Sequence, residues 1–132
     1  MIFSIIIPTF QNFNYLKNTI ESIELYSSYK HEIIVHINGV DNQTESYLNY
    51  KKINYTKSKV NIGLCSGVNS AAKISNQDYI LYSHDDMFFL PNWDDFLIQE
   101  IKSIKHNKFY LSMTQISYTR GIKGNLQHIH YD

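Results

Sequence analysis

Tyr79-Ile80-Leu81-Tyr82-Ser83-His84-Asp85-Asp86-Met87-Phe88-Phe89-Leu90-Pro91-Asn92-Trp93 is the stretch whose reading decides the fold. Tyr79 to Tyr82 have strand character and run straight into two adjacent carboxylates, after which a second apolar run leads to a proline and a helix start. Two carboxylates about 4 Å apart repel by only ~1 kcal/mol in water but by several kcal/mol at an effective dielectric near 20. At the half-buried mouth of a sheet such a pair calls for a cation, a proton or a cationic ligand. Asp85 and Asp86, with His84 before them, therefore read as a divalent-metal and diphosphate site. The alternative for the same residues is an Asp-rich turn that caps the next element.

Working outward, the segments on either side alternate in type. Ile2 to Ile7 is apolar and β-favouring, a strand buried on both faces, and Pro8 ends it. From Asn14, a candidate cap, Leu16, Ile20 and Ile23 recur at helical spacing. Glu32 to Ile37 is a second buried strand, followed by the turn Asn38-Gly39-Val40-Asp41-Asn42. Thr44 to Lys52 reads as a short helix and Ile53 to Thr56 as a third strand. The turn Asn61-Ile62-Gly63 then opens a helix bearing Leu64, Val68, Ala71 and Ala72. The fourth strand is Tyr79 to Ser83. After Pro91, the residues Trp93, Leu97, Ile101 and Ile104 make a helical stripe, which assigns Trp93 to the core. Phe109 to Ser117 alternates as a fifth strand, and 118–132 has no assignment.

Strand and helix in alternation predict an α/β fold, a mainly parallel sheet with helices on both faces. Ligands of such sheets sit beyond the carboxyl ends of the strands, where strand order reverses. The unusual polar residues fall after strand one (Thr9, Gln11), strand two (Asn38, Asp41) and strand four (His84, Asp85, Asp86), so one rim gathers them all. That convergence favours the metal site over the capping turn.

The totals bound the rest. A chain of 132 residues with 43% hydrophobic and 18% charged residues is globular and fits one core. Twelve basic residues balance twelve acidic ones, so no nucleic-acid partner is expected, and Lys51, Lys52, Lys57 and Lys59 read as a solvated face. Cys65, the single cysteine, fits a reducing compartment and a packing role. Met1 to Pro8 lacks a cationic leader and falls far short of the ~20 residues that span a bilayer, so no transmembrane segment is expected. A cytoplasmic location follows, free or peripheral at a membrane. Asn61 to Gly67 offers backbone amides before a helix but lacks the lysine of a P-loop, which excludes a nucleotide triphosphatase. The eleven tyrosines are scattered, as packing residues are. Asp94 and Asp95 suit the positive end of the helix that follows Pro91.

Four segments in order then resemble the family 2 glycosyltransferases, whose fold is the Rossmann-like GT-A arrangement of nucleotide-diphospho-sugar transferases. They are FSIIIPTFQN (Phe3 to Asn12), HEIIVHINGVDNQT (His31 to Thr44), NIGLCSGVNSAAK (Asn61 to Lys73) and DYILYSHDDMFFLPNW (Asp78 to Trp93). The resemblance implies a nucleotide pocket lined by Pro8, Thr9 and Phe10, with Phe10 facing the base. It places Asn38 at a base contact, Ile37 standing where the family frequently has Asp. Gly63 and Asn69 are implied to shape the wall near ribose and phosphates. His84-Asp85-Asp86 takes the place of the Asp-x-Asp motif: Asp86 and His84 as metal ligands, His84 replacing the usual first acid, and Asp85 toward the ribose or donor sugar. A divalent metal, Mn²⁺ or Mg²⁺, and a nucleotide-sugar donor, a UDP-sugar, are the implied cofactors. The metal would neutralise the departing diphosphate while the anomeric centre inverts by direct displacement.

The family also uses a separate Asp or Glu as base toward the acceptor, a glycan, lipid or protein. No candidate for it stands out in this sequence. The chain is therefore expected to be the donor-binding half, residues 1–117, with 118–132 a tail that begins the acceptor side. A homo-oligomer could form through the patch where a missing half would dock. His128 and His130 could add a metal ligand or be unpartnered surface residues. A second expectation is a module that holds a nucleotide sugar without transferring it. A third is a phosphotransfer domain, disfavoured because Pro8-Thr9 and Lys57-Ser58 occupy the ends of strands one and three, where its acids would stand.

Overall fold

Seven residues in a row, Phe3–Thr9, are buried without exception, and they form the central strand β1. A computed structural model describes residues 1–106 and 108–113. Helix α1 (Phe13–Tyr26) follows, then β2 (Glu32–Asn38), α2 (Asn42–Lys51), β3 (Asn54–Ser58), α3 (Leu64–Ala72), β4 (Tyr79–Tyr82) and α4 (Trp93–Ser103). The four strands pair in the order β3-β2-β1-β4, every pair parallel. Met1–Phe96 form one compact unit, and the described residues from Leu97 onward belong to a second.

Burial explains why β1 lies inside. Ile6 packs with Ile34 and Ala71, so α3 covers one face, where its small residues let the helix come close. Alternation sends Phe3, Ile5 and Ile7 to the other face. There Phe3 meets the rings of His31 and Trp93, while α1 turns Leu16, Ile20 and Ile23 inward. Each fully buried isoleucine contributes roughly 1.5–3 kcal/mol relative to an exposed one. Strand β1 carries three.

Several local expectations change. Asn12, not Asn14, occupies the cap position of α1, and its side chain makes no capping bond. The stripe through Trp93 is helical as expected, but α4 ends at Ser103, where the Ile104 N–H bonds back to Ile101 O. Residues 109–113 form no strand. Their alternation does not hide one face, since Tyr110 is 88% exposed and Met113 is exposed too. Residues 114–117, the boundary at 117, and His128, His130 and Asp132 lie outside the described residues. Cys65, expected to pack, is exposed on α3. The lysine face is solvated as expected, with Lys51 on Glu24 and Lys57 on Glu45, each at 2.6 Å.

Two histidines are structural. His31 Nδ1 accepts the Phe3 N–H at 3.1 Å, which leaves its Nε2–H to donate to Asp94 at 3.0 Å. Asp94 also accepts the N–H groups of Ser28 and Tyr29, both at 3.0 Å, so its charge serves a buried junction and not only the helix end. Burial alone would raise the Asp94 carboxyl, but these backbone and side-chain hydrogen bonds outweigh it and hold it below its ordinary range. Burial lowers His31, the Asp94 contact offsetting only part of the effect. His36, buried in β2, bonds Thr56 Oγ1 at 2.8 Å. Gly67 of α3 sits against its ring, where a Cβ would come within 2.8 Å of Cδ2.

Candidate functional site

The ladder between β1 and β4 ends at Ile6 and Tyr82, whereas β1 and β2 stay paired to Thr9 and Ile37. One more bond, Ser83 N–H to Ile6 O at 3.0 Å, precedes the parting. Pro8 points its missing donor the same way as Ile6, toward the side where no strand follows, so it costs the sheet no bond. The chain runs outward from β1 through β2 and β3 on one side and to β4 on the other, so this parting is where strand order reverses.

The acidic turn folds back over that gap. Thr9 Oγ1 donates to Asp85 Oδ2 at 2.6 Å, and Asn12 Nδ2 donates to Asp85 Oδ1 at 3.0 Å. One face of α1 and its C-cap residue Ser27 stitch the rest of the loop in place. The buried Thr19 hydroxyl lies 2.9 Å from Asp85 O and 2.7 Å from Met87 O, Ser22 Oγ accepts the Phe89 N–H, and Ser27 Oγ accepts Trp93 Nε1–H. The backbone at Gln11 is left-handed, with φ 51, which turns the chain sharply between Thr9 and Asn12.

The opposite wall is built on Asn38. Its Oδ1 accepts the Ile62 N–H at 2.7 Å and its Nδ2 donates to Gly63 O at 3.2 Å, so β2 fixes the turn that enters α3. Asn61 Oδ1 accepts the Gly63 N–H, and Gly63 takes φ 83, a conformation that L side chains rarely adopt. Gly39, φ 105, lies under the Phe10 ring; a Cβ there would stand 3.4 Å from Phe10 Cε2. Phe10 itself is 49% exposed.

Between the walls lies an open cleft of about 340 Å³. Pro8, Thr9, Phe10, Asn38, Gly63, His84 and Asp85 all line it, together with Asn12, Asn61 and Leu64. Two expected residues do not. Asn69 is exposed on α3, five residues past Leu64, which at 1.5 Å per residue carries it about 7.5 Å along the helix from the rim. Asp86 is exposed and outside the lining, whereas Asp85 turns in to Thr9 and Asn12. Asn12, Thr19 and Ser22 escaped the sequence reading. The readable signal was two hydroxyl residues, Thr19 and Ser22, inside the otherwise apolar arc of Leu16, Ile20 and Ile23.

The donor set bears on a metal. Among the described residues no three His, Cys, Asp or Glu side chains converge. His84 lies at the rim with its ring 5.1 Å from that of Tyr82, but Asp86 does not join it in the cleft. A caged site on His84 and Asp86 does not fit. A hard divalent ion held by one carboxylate and completed by ligand phosphates and water does fit, with Asp85 as the carboxylate.

Comparison with known proteins follows the same lines. The model of glycosyl transferase family 2 matches residues 4–130. The crystal structure of S. aureus TarS superposes with a TM-score of 0.66 at 18% identity, covering 77% of this chain and 20% of that one. S. aureus TarS 1-349 in complex with UDP gives 0.66 at 18%, covering 77% and 32%, and the same protein with UDP-GlcNAc gives 0.64 at 18%, covering 76% and 30%. The chain thus spans a fifth to a third of the length of these neighbours. At such identity the likeness shows a shared fold. No curated protein sequence matches the chain.

Proposed function

The chain belongs to glycosyl transferase family 2 and has its Rossmann-like GT-A fold, and from that membership and the geometry of the cleft we propose that it binds a nucleotide sugar, a UDP-sugar, at the reversal point of the sheet and takes part in transferring the sugar with inversion. The observation that carries this is the meeting of Asp85, Thr9, Phe10, Asn38 and Gly63 around one open space, although 76 residues separate Thr9 from Asp85. The neighbours solved with UDP and UDP-GlcNAc support the same choice of donor.

Each wall then has a task. Phe10, half exposed over Gly39, offers a flat apolar surface for the base. Asn38 is occupied with Ile62, Gly63 and Ser58 and shapes the wall, leaving one amide hydrogen for the ligand. Asp85 faces the diphosphate as the carboxylate that would hold Mn²⁺ or Mg²⁺, a role the family resemblance implies for Asp86. Such a cation, when bound, neutralises charge on the leaving diphosphate. His84 stands at the rim of the same cleft, its ring beside that of Tyr82.

Calorimetric titration with UDP, with and without Mn²⁺, tests the proposal: metal-dependent binding is expected, and no heat under either condition refutes it. One observation favours a narrower role. Asp85 is the only carboxylate among the described residues that lines the cleft, and both of its oxygens already accept hydrogen bonds. A donor-holding part whose acceptor-side base lies elsewhere would look the same. Donor binding without sugar transfer to a broad acceptor panel would select that narrower role.

A further inference from the structure

Asn12 stands at the cap position of α1, where its carbonyl accepts the Leu16 N–H at 3.0 Å and its side chain would ordinarily accept an N–H from the first turn. It does not. The amide reaches out of the helix and donates to Asp85 Oδ1 at 3.0 Å, across 73 residues of sequence. No acidic residue compensates in the first turn of α1. A cap is worth about 1 kcal/mol, so a cap residue used elsewhere leaves local stability unclaimed. The preceding residue, Gln11, is in the left-handed region at φ 51. That turn puts Thr9 and Asn12 on the two oxygens of one carboxylate.

We propose that Asn12 is a positioning residue of the donor site: it forgoes capping α1 in order to fix the Asp85 carboxylate toward the cleft. The inference rests on the proposed binding of a UDP-sugar and goes beyond it, since it assigns a role to a residue that need not touch the donor. Thr9 holds the second oxygen and Thr19 the backbone of the same turn. With the amide gone, Asp85 is tethered at one oxygen only and its carboxylate swings about that contact.

The test is Asn12→Ser, with UDP titrations in Mn²⁺, thermal melts and amide NMR on the full chain. Serine is an equally good cap residue but too short to reach Asp85. The expected result is an unchanged or raised melting temperature with UDP affinity lower by about tenfold, one hydrogen bond to a charged group. In the ligand-free wild type, the Asn12 side-chain amide signals should move on Asp85→Asn substitution. Wild-type affinity in Asn12→Ser, or affinity falling only as far as stability falls, overturns the positioning role. So does an Asn12 amide signal that ignores Asp85. If the wild-type chain fails to bind UDP while the amide still reports Asp85, it is the donor assignment that fails.

Discussion

Exchanging the two adjacent acids for amides, one at a time, separates a carboxylate that faces the cleft from one that does not. Asp85→Asn keeps the shape of the side chain. Its new amide group cannot face Asn12 Nδ2, which is a donor, so it must turn to Thr9 Oγ1, whose hydroxyl can reverse and accept. The remaining oxygen keeps the Asn12 bond, and the fold should lose no more than about 1 kcal/mol. The ligand feels the charge instead. Two unit charges about 4 Å apart at an effective dielectric near 20 interact by ~4 kcal/mol, and the avoided desolvation offsets roughly a third of that. A net loss near 3 kcal/mol lowers metal-dependent UDP affinity on the order of 100-fold. Asp86→Asn removes an exposed charge outside the cleft, worth at most ~1 kcal/mol, or about fivefold. Titration calorimetry at constant ionic strength, with melts as a control for folding, reads both. Binding abolished in Asp86→Asn and intact in Asp85→Asn would refute the assignment of Asp85.

Three further expectations concern the frame. Gly67→Ala drives a Cβ to 2.8 Å from His36 Cδ2, and with that ring tied to Thr56 the overpacking of about 1–3 kcal/mol should exceed the ~1 kcal/mol helix-propensity gain; urea denaturation showing equal or higher stability would contradict this. Tyr47→Phe removes the one buried side-chain hydroxyl that lacks a partner among the described residues. Burial, then the charges of Glu21 and Glu24, push that phenol to about 12 from 10.0, so its contribution is complete below pH 10.0 and lost toward 12. The phenylalanine variant should melt at the same or a higher temperature and lose less stability over that alkaline window. Burial also holds His31 and His36 below their ordinary value of 6.5. Because the fold favours their neutral forms, stability from this source is complete above 6.5 and falls as pH drops through their lowered values. Proton NMR should find both titrating below 6.5, and titration above it would contradict the burial argument.

Most of the frame was legible because the sheet is parallel. Strands covered on both faces must be apolar throughout, and Phe3–Thr9 and Ile33 to Ile37 carry that demand in their residue types. The alternation of strand and helix sends Thr9, Asn38 and Asp85 to one rim. What stayed hidden depends on side-chain direction within turns. Adjacent acids in a turn look equivalent in sequence, and only the donors Thr9 and Asn12 decide that Asp85 turns inward while Asp86 does not. Asn69 was misplaced for a related reason: a helix leaves the rim at 1.5 Å per residue, and motif spacing does not show its direction. Asp94 looked like a helix-end charge because its three partners, Ser28, Tyr29 and His31, lie more than 60 residues upstream.

The division of labour around the cleft follows from which parts of a parallel sheet can be rigid. The strands supply Thr9, paired with Ile37, and Asn38, paired with Ser58, at positions set by ladder bonds, so these two are fixed as soon as the sheet forms. The acidic turn has no ladder beyond Ser83 and would wander if left to itself. Its order comes from α1: Thr19 holds the backbone of Asp85 and Met87, Ser22 that of Phe89, Tyr26 O that of Asn92, and Ser27 the Trp93 ring. Thr19, Ser22 and Tyr26 lie at helical spacing along one side and Ser27 is the residue that caps the same helix, so a single rigid element and its cap register ten residues of loop. A substitution such as Thr19→Val, close in volume but without the hydroxyl, should therefore weaken UDP binding more than it lowers the melting temperature, because it frees the turn while leaving the sheet intact. Equal losses in both would mean that the turn is held by packing and that the hydroxyl stripe of α1 does not place the carboxylate.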